Sequence, residues 1–263
     1  GSTTTNGAVD FNGWGSAVTS SPGYDPKEFF NTGSTYTNAL TISGGSDKNQ
    51  TLFSAAATNA KGILPNNKLN RYNFFYRNSS YFFDNKLSID FSASYTYQKF
   101  QNMPSAGQYF NPLTSVYLFP NGLSFDSVKN YETFDRATQV YVQNWPYGDH
   151  SLSLQNPYWV MYRDMFYTTR NRIMGAVTAR YNFTNWLYLQ GRVSIDRTSD
   201  QNENDIYGST LAFLASNKAN GSYNVNQPVY SQTYADLLLN MNKKLNKFSL
   251  NATLSTSLVN SLT

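Results

Sequence analysis

Apolar and polar residues alternate with a period of two along several stretches of this chain. In the clearest stretch, residues 87–98, every odd position is apolar or aromatic and every even position is polar. Successive side chains of a β-strand point to opposite faces of the sheet, so this pattern predicts a strand with one apolar and one polar face. Residues 173–183, 187–196 and 248–258 repeat the alternation and predict three further strands.

Weaker alternation predicts four more strands, at residues 35–44, 50–59, 70–83 and 232–243. The last of these also fits one apolar face of a helix, since every third or fourth residue from Tyr234 to Leu245 is apolar. We favour the strand, because it preserves the regular sequence of connections described next.

Short and long connections alternate strictly along the chain. The short ones lie near residues 45–49, 84–86, 184–185 and 245–247, and the long ones at 60–69, 101–170 and 199–231. Aromatic residues flank several short turns, namely Phe82, Phe83, Phe183, Trp186 and Phe248. Unequal connections, strands of about ten residues and aromatic borders are typical of transmembrane barrels. The sequence therefore predicts an all-β fold, an antiparallel transmembrane β-barrel section with long extracellular loops.

Two other folds share this alternation. A soluble antiparallel domain, such as a sandwich or a lectin-like fold, also has one apolar and one wet face, and would serve carbohydrate binding or adhesion. A small barrel closed by these strands alone is the other alternative, since eight strands can close around a filled interior. Structureless connections above about 15 residues are uncommon in compact domains, which favours the membrane interpretation.

The composition excludes several kinds of chemistry. The chain has 263 residues, a net charge of +4, no cysteine and a single histidine, His150. A disulfide framework, a zinc–thiolate site and a multi-histidine metal site are thereby excluded. No motif for phosphate binding or nucleophilic catalysis stands out, and the basic residues are too scattered for nucleic acid. We expect no enzymatic activity, no cofactor and no nucleic-acid partner.

Asp200, Asn202 and Asn204 match the first three ligand spacings of an EF-hand calcium loop. Asp205 stands where the turn glycine belongs, and Leu211 stands where the bidentate glutamate belongs. The mismatches favour a solvated acidic loop and no metal.

The segment 101–170 is rich in aromatic residues interleaved with amides and carboxylates. Aromatic faces stack on sugars or peptide groups, and polar neighbours hydrogen-bond to hydroxyls. The residues predicted to contact a ligand or partner are Tyr109, Phe110, Trp145, Tyr147, Tyr158 and Trp159. The alternative is a loop folded on its own aromatic core, with a short helix within residues 126–134.

Four arginines fall on the predicted polar faces of the strands: Arg71, Arg77, Arg180 and Arg192. A charge on a lipid-exposed face costs roughly 2–4 kcal/mol at the middle of the membrane. Their positions therefore predict arginines that face the lumen, although any half-exposed strand also carries arginine on its wet face.

Short motifs follow one another along the chain. They are EFFNTG at 28–33, TISGGSDK at 41–48, NAKGILP at 59–65, LNRY at 69–72, NPYW at 156–159, and TNWL with GRV within 184–193. Taken together, the sequences of these motifs, their order and their spacing resemble those of the SusC/RagA-type TonB-dependent transporters. The resemblance spans nearly the whole chain.

The resemblance implies a section of a Gram-negative outer-membrane barrel of about 22 strands. Residues 1–34 would be an extracellular loop leading into the barrel, and residues 35–263 would hold the strands and the outer loops 101–170 and 199–231. The plug domain and the remaining strands have no counterpart here, so we expect a portion of a longer protein. The family imports oligosaccharides or peptides, with a SusD-like surface lipoprotein as partner and TonB acting through the plug.

Overall fold

The computed structural model describes residues 24–119, 123–149, 152–218 and 220–262. Strands hold 61% of these residues and helices 9%, which confirms the predicted all-β class. His150 and the first two thirds of the predicted segment 1–34 lie outside the described residues. None of the described helices combines the length and apolarity needed to span a membrane.

The strands are β1 Ser34–Ser46, β2 Asn49–Lys61, β3 Lys68–Phe82, β4 Leu87–Gln101, β5 Glu132–Asp135, β6 Val140–Gln143, β7 Asp164–Thr184, β8 Leu187–Ile206, β9 Ser222–Asn226, β10 Val229–Leu245 and β11 Phe248–Leu262. The helices are α1 Pro112–Leu118, α2 Asp126–Lys129 and α3 Pro157–Tyr162, after a 3₁₀ turn at Pro26–Phe29.

Eight long strands form one antiparallel meander in the order β1-β2-β3-β4-β7-β8-β10-β11. Each corresponds to a predicted strand, and the ambiguous segment 232–243 lies in β10. The short β9 pairs with β8, and β5 and β6 form a separate hairpin.

The main sheet is open at both sides. Within the described residues, β1 pairs only with β2 and β11 only with β10. The hypothesis of a barrel closed by these strands alone is therefore wrong for this structure.

Strands β7 and β8 are longer than predicted. β7 begins at Asp164 and β8 ends at Ile206, so the long connections run from 102 to 163 and from 207 to 228. The added residues pair through polar side chains, as in the hydrogen bond from Thr168 Oγ1 to Asn202 Oδ1 at 3.0 Å. The added residues do not continue the apolar alternation, so the strand boundaries predicted from the sequence fell short of them.

The buried core lies in the loops. We call residues 24–33, 62–67, 102–163 and 207–221, where described, the loop cap. Its core residues are Tyr24, Phe29, Leu64, Val116, Phe119, Phe125, Val128 and Met161. The predicted helix within 126–134 is only α2, because Glu132–Asp135 pairs with Val140–Gln143 as a hairpin.

Candidate functional site

Every long strand presents most of its apolar residues to the same face of the sheet, with exceptions such as Phe75 and Met174 on the other face. Residues directly opposite each other on paired strands share a face. The register joins Phe91 to Val177, Val177 to Val193, and Val193 to Ala235. The sheet therefore has one continuous face, the apolar face, that carries the odd-numbered residues of β4, β7, β8 and β10.

The apolar face is exposed. Leu40 is 57% exposed, Val193 55% and Leu254 74%. No residue of the rows Leu87–Tyr97 and Leu187–Ile195 that belongs to this face is buried. Monomeric soluble proteins rarely expose a contiguous apolar surface of more than a few hundred Å². An exposed apolar surface of this kind marks a site of interaction with another apolar surface.

The opposite face, the polar face, carries all four arginines singled out in the sequence. Arg77 and Arg192 bind the carboxylates of Asp90 and Asp236, at 3.1 and 2.8 Å. Arg71 donates to Gln98 at 2.7 Å, and Arg180 donates to Asn182 at 3.0 Å. The structure thus agrees with the predicted face, while the lumen-facing role stays a prediction.

The sequence interpretation missed two further ion pairs on the polar face. Arg170 binds Asp200 through two bonds of 2.7 Å, and Arg172 binds Asp196 in the same two-pronged way. Both pairs consist of even-numbered residues of β7 and β8. Extension of the period-two pattern beyond the apolar stretch would have placed them on the polar face. Asp200, Asn202 and Asn204 lie on β8, so the prediction of a solvated acidic loop at these positions is wrong.

The loop cap packs against the loop-proximal end of the polar face, and the rest of that face stays accessible, with the side chains of Arg77 and Arg192 about half exposed. Asn102 donates to the carbonyl of Met161 at 2.7 Å and accepts from the amide of Phe166 at 2.9 Å. Phe110 packs edge-on against the ring of Phe166, at 5.0 Å between centroids. These contacts join the cap to the loop end of the polar face and line a partly open cavity of about 200 Å³.

The predicted contact residues divide into buried and exposed groups. Trp159 is completely buried, and Trp145, Tyr147 and Tyr158 pack against the core of the loop cap. Tyr109 is half exposed and touches Phe213. The aromatic residues of the loop thus pack in a core that the loop shares with Tyr24 and Phe29. Tyr109 is better placed than Trp159 to reach a ligand.

Asn156, the first residue of the NPYW motif, organises the cap. Its Oδ1 accepts from the amide of Tyr158 at 2.9 Å and so caps α3. Its Nδ2 donates to the carbonyls of Val128 and Asn144, at 2.8 and 3.0 Å. One buried amide therefore joins α3, α2 and the strand end after β6.

A buried polar chain continues from the same motif. Trp159 Nε1 donates to Thr210 Oγ1 at 2.9 Å, and Thr210 donates to Asp164 Oδ1 at 2.6 Å. Asp164 Oδ2 is buried and has no hydrogen-bond partner among the described residues. Burial raises the pKa of Asp164 to about 7, against the opposing effect of its hydrogen bonds from Thr210 and the Tyr207 backbone.

The described residues contain no cluster of acidic, histidine or cysteine side chains suited to a metal ion. Comparison with protein-family models and with curated proteins finds no match for this chain. The class defined by the fold is an open antiparallel meander with one exposed apolar face and a polar face that bears a structured loop cap at its loop end.

Proposed function

We propose that this chain is a β-barrel section of an outer-membrane, TonB-dependent nutrient importer resembling SusC. The observation that carries the proposal is the exposed apolar face, which continues across all eight long strands opposite a polar face. A sheet with this division fits a barrel wall whose outer surface meets lipid and whose inner surface meets water.

The height of the apolar face supports a membrane position. On β4 this face is apolar from Leu87 to Tyr97, which is about 33 Å of strand. With the usual tilt of about 40°, this length gives a band about 25 Å tall, as in outer-membrane barrels. Phe83 and Phe248 are exposed near one border, and Tyr72 stacks on Tyr97 near the other. Such aromatic borders are typical of membrane interfaces.

The polar face supports a water-filled interior. Its arginines form ion pairs or hydrogen bonds, and the loop cap packs on this side at the loop end of the sheet. The short sequence motifs that resemble those of SusC/RagA-type transporters favour import of oligosaccharides or peptides. In this proposal, exposed cap residues such as Tyr109 meet the substrate or a SusD-like lipoprotein, and TonB acts through a plug domain.

Paired variants on neighbouring positions of β8 test the proposal. Val193 lies on the apolar face and Ser194 on the polar face. Val193→Arg puts a charge toward lipid, which costs about 2–4 kcal/mol, and should reduce insertion into vesicles at least tenfold. Ser194→Arg adds the same charge on the wet side and should insert like the parent chain.

Flotation with vesicles and heat-modifiable gel mobility measure insertion. Recovery of the parent chain as a monomer without detergent would contradict the proposal. Glycan binding by such a monomer would instead support the soluble carbohydrate-binding alternative.

A further inference from the structure

Three lysines gather on the apolar side of the sheet, just beyond its last apolar row. Lys61 on β2 lies directly opposite Lys68 on β3. Lys99 on β4 lies opposite Asn70, one step along the face from Lys68. All three side chains are exposed. We call these residues the lysine patch.

The register brings like charges close together. Directly opposite residues have Cβ atoms roughly 5 Å apart, and diagonal neighbours roughly 7–8 Å apart. Like charges directly opposite each other destabilise a sheet. Two adjacent lysines at this spacing therefore favour an anion between them.

Among the described residues, no carboxylate lies within ion-pair distance of the patch, although Glu203 on β8 lies opposite Tyr167 on the same side of the sheet. The ion pairs among the described residues include none of Lys61, Lys68 and Lys99. The ammonium of Lys99 lies 5.0 Å from the ring centre of Tyr167, which holds its position without cancelling its charge. The patch thus presents three positive charges to the surroundings of the sheet.

The height of the patch indicates which anion it meets. Lys99 is one step along its face beyond Tyr97, and Lys68 is two steps beyond Tyr72, at about 6.6 Å of strand per step. This places the charges next to the end of the apolar band, where lipid headgroups begin. Lysine stems also reach back along apolar surface while the charge stays in the polar layer.

We propose that the lysine patch binds the phosphate groups of anionic lipid headgroups in the leaflet on the loop-cap side. The inference rests on the membrane position proposed above and adds a lipid-recognition site to it. The phosphates supply the negative charge that the register of β2, β3 and β4 lacks.

The test uses the full chain in phosphatidylcholine vesicles that contain a minority of phosphatidylglycerol. It measures how strongly each of the two lipids associates with the chain. The parent chain should enrich phosphatidylglycerol at its surface. In the triple variant Lys61→Gln, Lys68→Gln, Lys99→Gln, the preference for phosphatidylglycerol should fall at least about fivefold. This lower limit is the effect expected when one lysine contact is lost. The preference of the parent chain should also weaken in high salt.

A matched triple variant controls for net charge. Lys48, Lys86 and Lys247 are exposed in short turns at the other end of the sheet. Their replacement by Gln removes the same net charge without touching the patch, and should lower the preference by clearly less than the patch variant does. If the parent chain inserts without preferring phosphatidylglycerol, or if the patch variant keeps the preference, the lipid site is disproved. If the parent chain fails to insert into vesicles of either composition, the proposed function falls and the lipid site falls with it.

Discussion

Thr210 donates its hydroxyl to Asp164 across 46 residues of sequence, and this bond ties the second long connection to the first residue of β7. Asp164 is 1% exposed, and its second carboxylate oxygen has no hydrogen-bond partner in the described part of the chain. The protonated carboxyl suits this environment better than the charged one. The stability of the loop cap should therefore depend on pH through this one residue.

The cap should lose stability as the pH rises. In the folded chain the pKa of Asp164 is raised to about 7 from an ordinary value of 3.8. Between these values the unfolded chain releases the proton and the folded chain keeps it, so each rise in pH favours unfolding. The total loss is about 4 kcal/mol, and it levels off above about pH 7. Amide hydrogen exchange of residues 207–218 at about pH 5 and about pH 8 measures it.

Asp164→Asn provides the control for this titration. The amide keeps an oxygen for Thr210 and has no proton to lose in this range. The variant should be less stable at about pH 5 by roughly 1–3 kcal/mol, because a buried N–H gains no partner. Its exchange should show no pH dependence beyond the intrinsic chemistry. An unchanged pH dependence in this variant would assign the effect to another group.

Removal of the Thr210 hydroxyl should weaken the cap at every pH. Thr210→Val leaves Trp159 Nε1 without its acceptor and Asp164 without its donor. We expect a loss of about 1–3 kcal/mol in the free energy of cap opening, seen by hydrogen exchange. Thr210→Ser keeps the hydroxyl and should restore most of the protection. Equal losses in the two variants would show that the methyl group matters instead.

The two asparagine caps of the loop should differ in importance. Asn156→Ala removes the cap of α3 and leaves two buried carbonyls unpaired, so we expect a loss of about 3 kcal/mol or more. Asn111→Ala removes the cap of α1 in a partly buried setting, where no buried carbonyl like those of Val128 and Asn144 loses its partner, and should cost about 1 kcal/mol. Rates of limited proteolysis within the cap compare the variants. Similar rates would contradict the joining role of Asn156.

Trp159 and Tyr109 should differ in role, because Trp159 is buried in the cap whereas Tyr109 is exposed enough to contact a ligand or partner. Trp159→Ala empties a fully buried position and should destabilise the cap by about 3–5 kcal/mol. Tyr109→Ala changes a half-exposed side chain and should leave cap stability nearly unchanged. Near-ultraviolet circular dichroism and proteolysis measure the cap in both variants. A cap that tolerates loss of Trp159 would restore the interpretation of this residue as a surface contact.

Much of the sheet was predictable from local sequence. Alternation of period two between Leu87 and Tyr97 assigns each residue to a face without knowledge of the neighbouring strand. Short turns at Asp47–Lys48 and Asn246–Lys247 then set neighbouring strands antiparallel. The ends of β7 and β8 were missed, because paired polar side chains such as Thr168 and Asn202 leave no apolar alternation.

The candidate sites needed the assembled structure. The sequence pattern does not distinguish a buried loop aromatic such as Trp159 from a half-exposed one such as Tyr109, because burial depends on distant segments. Asp164 and Thr210 meet only after the two long connections fold together. Lys61 and Lys68 become neighbours through the register of β2 against β3, although each is an ordinary strand-end lysine in the sequence.

The sequence by itself determined the strands, their order and the division into an apolar and a polar face, since these follow from backbone geometry repeated every two residues. Only the tertiary structure decided that the sheet stays open, which face the loop cap packs against and which side chains meet across it. Such contacts join residues far apart in the chain, and their energies depend on burial and register that no local pattern encodes.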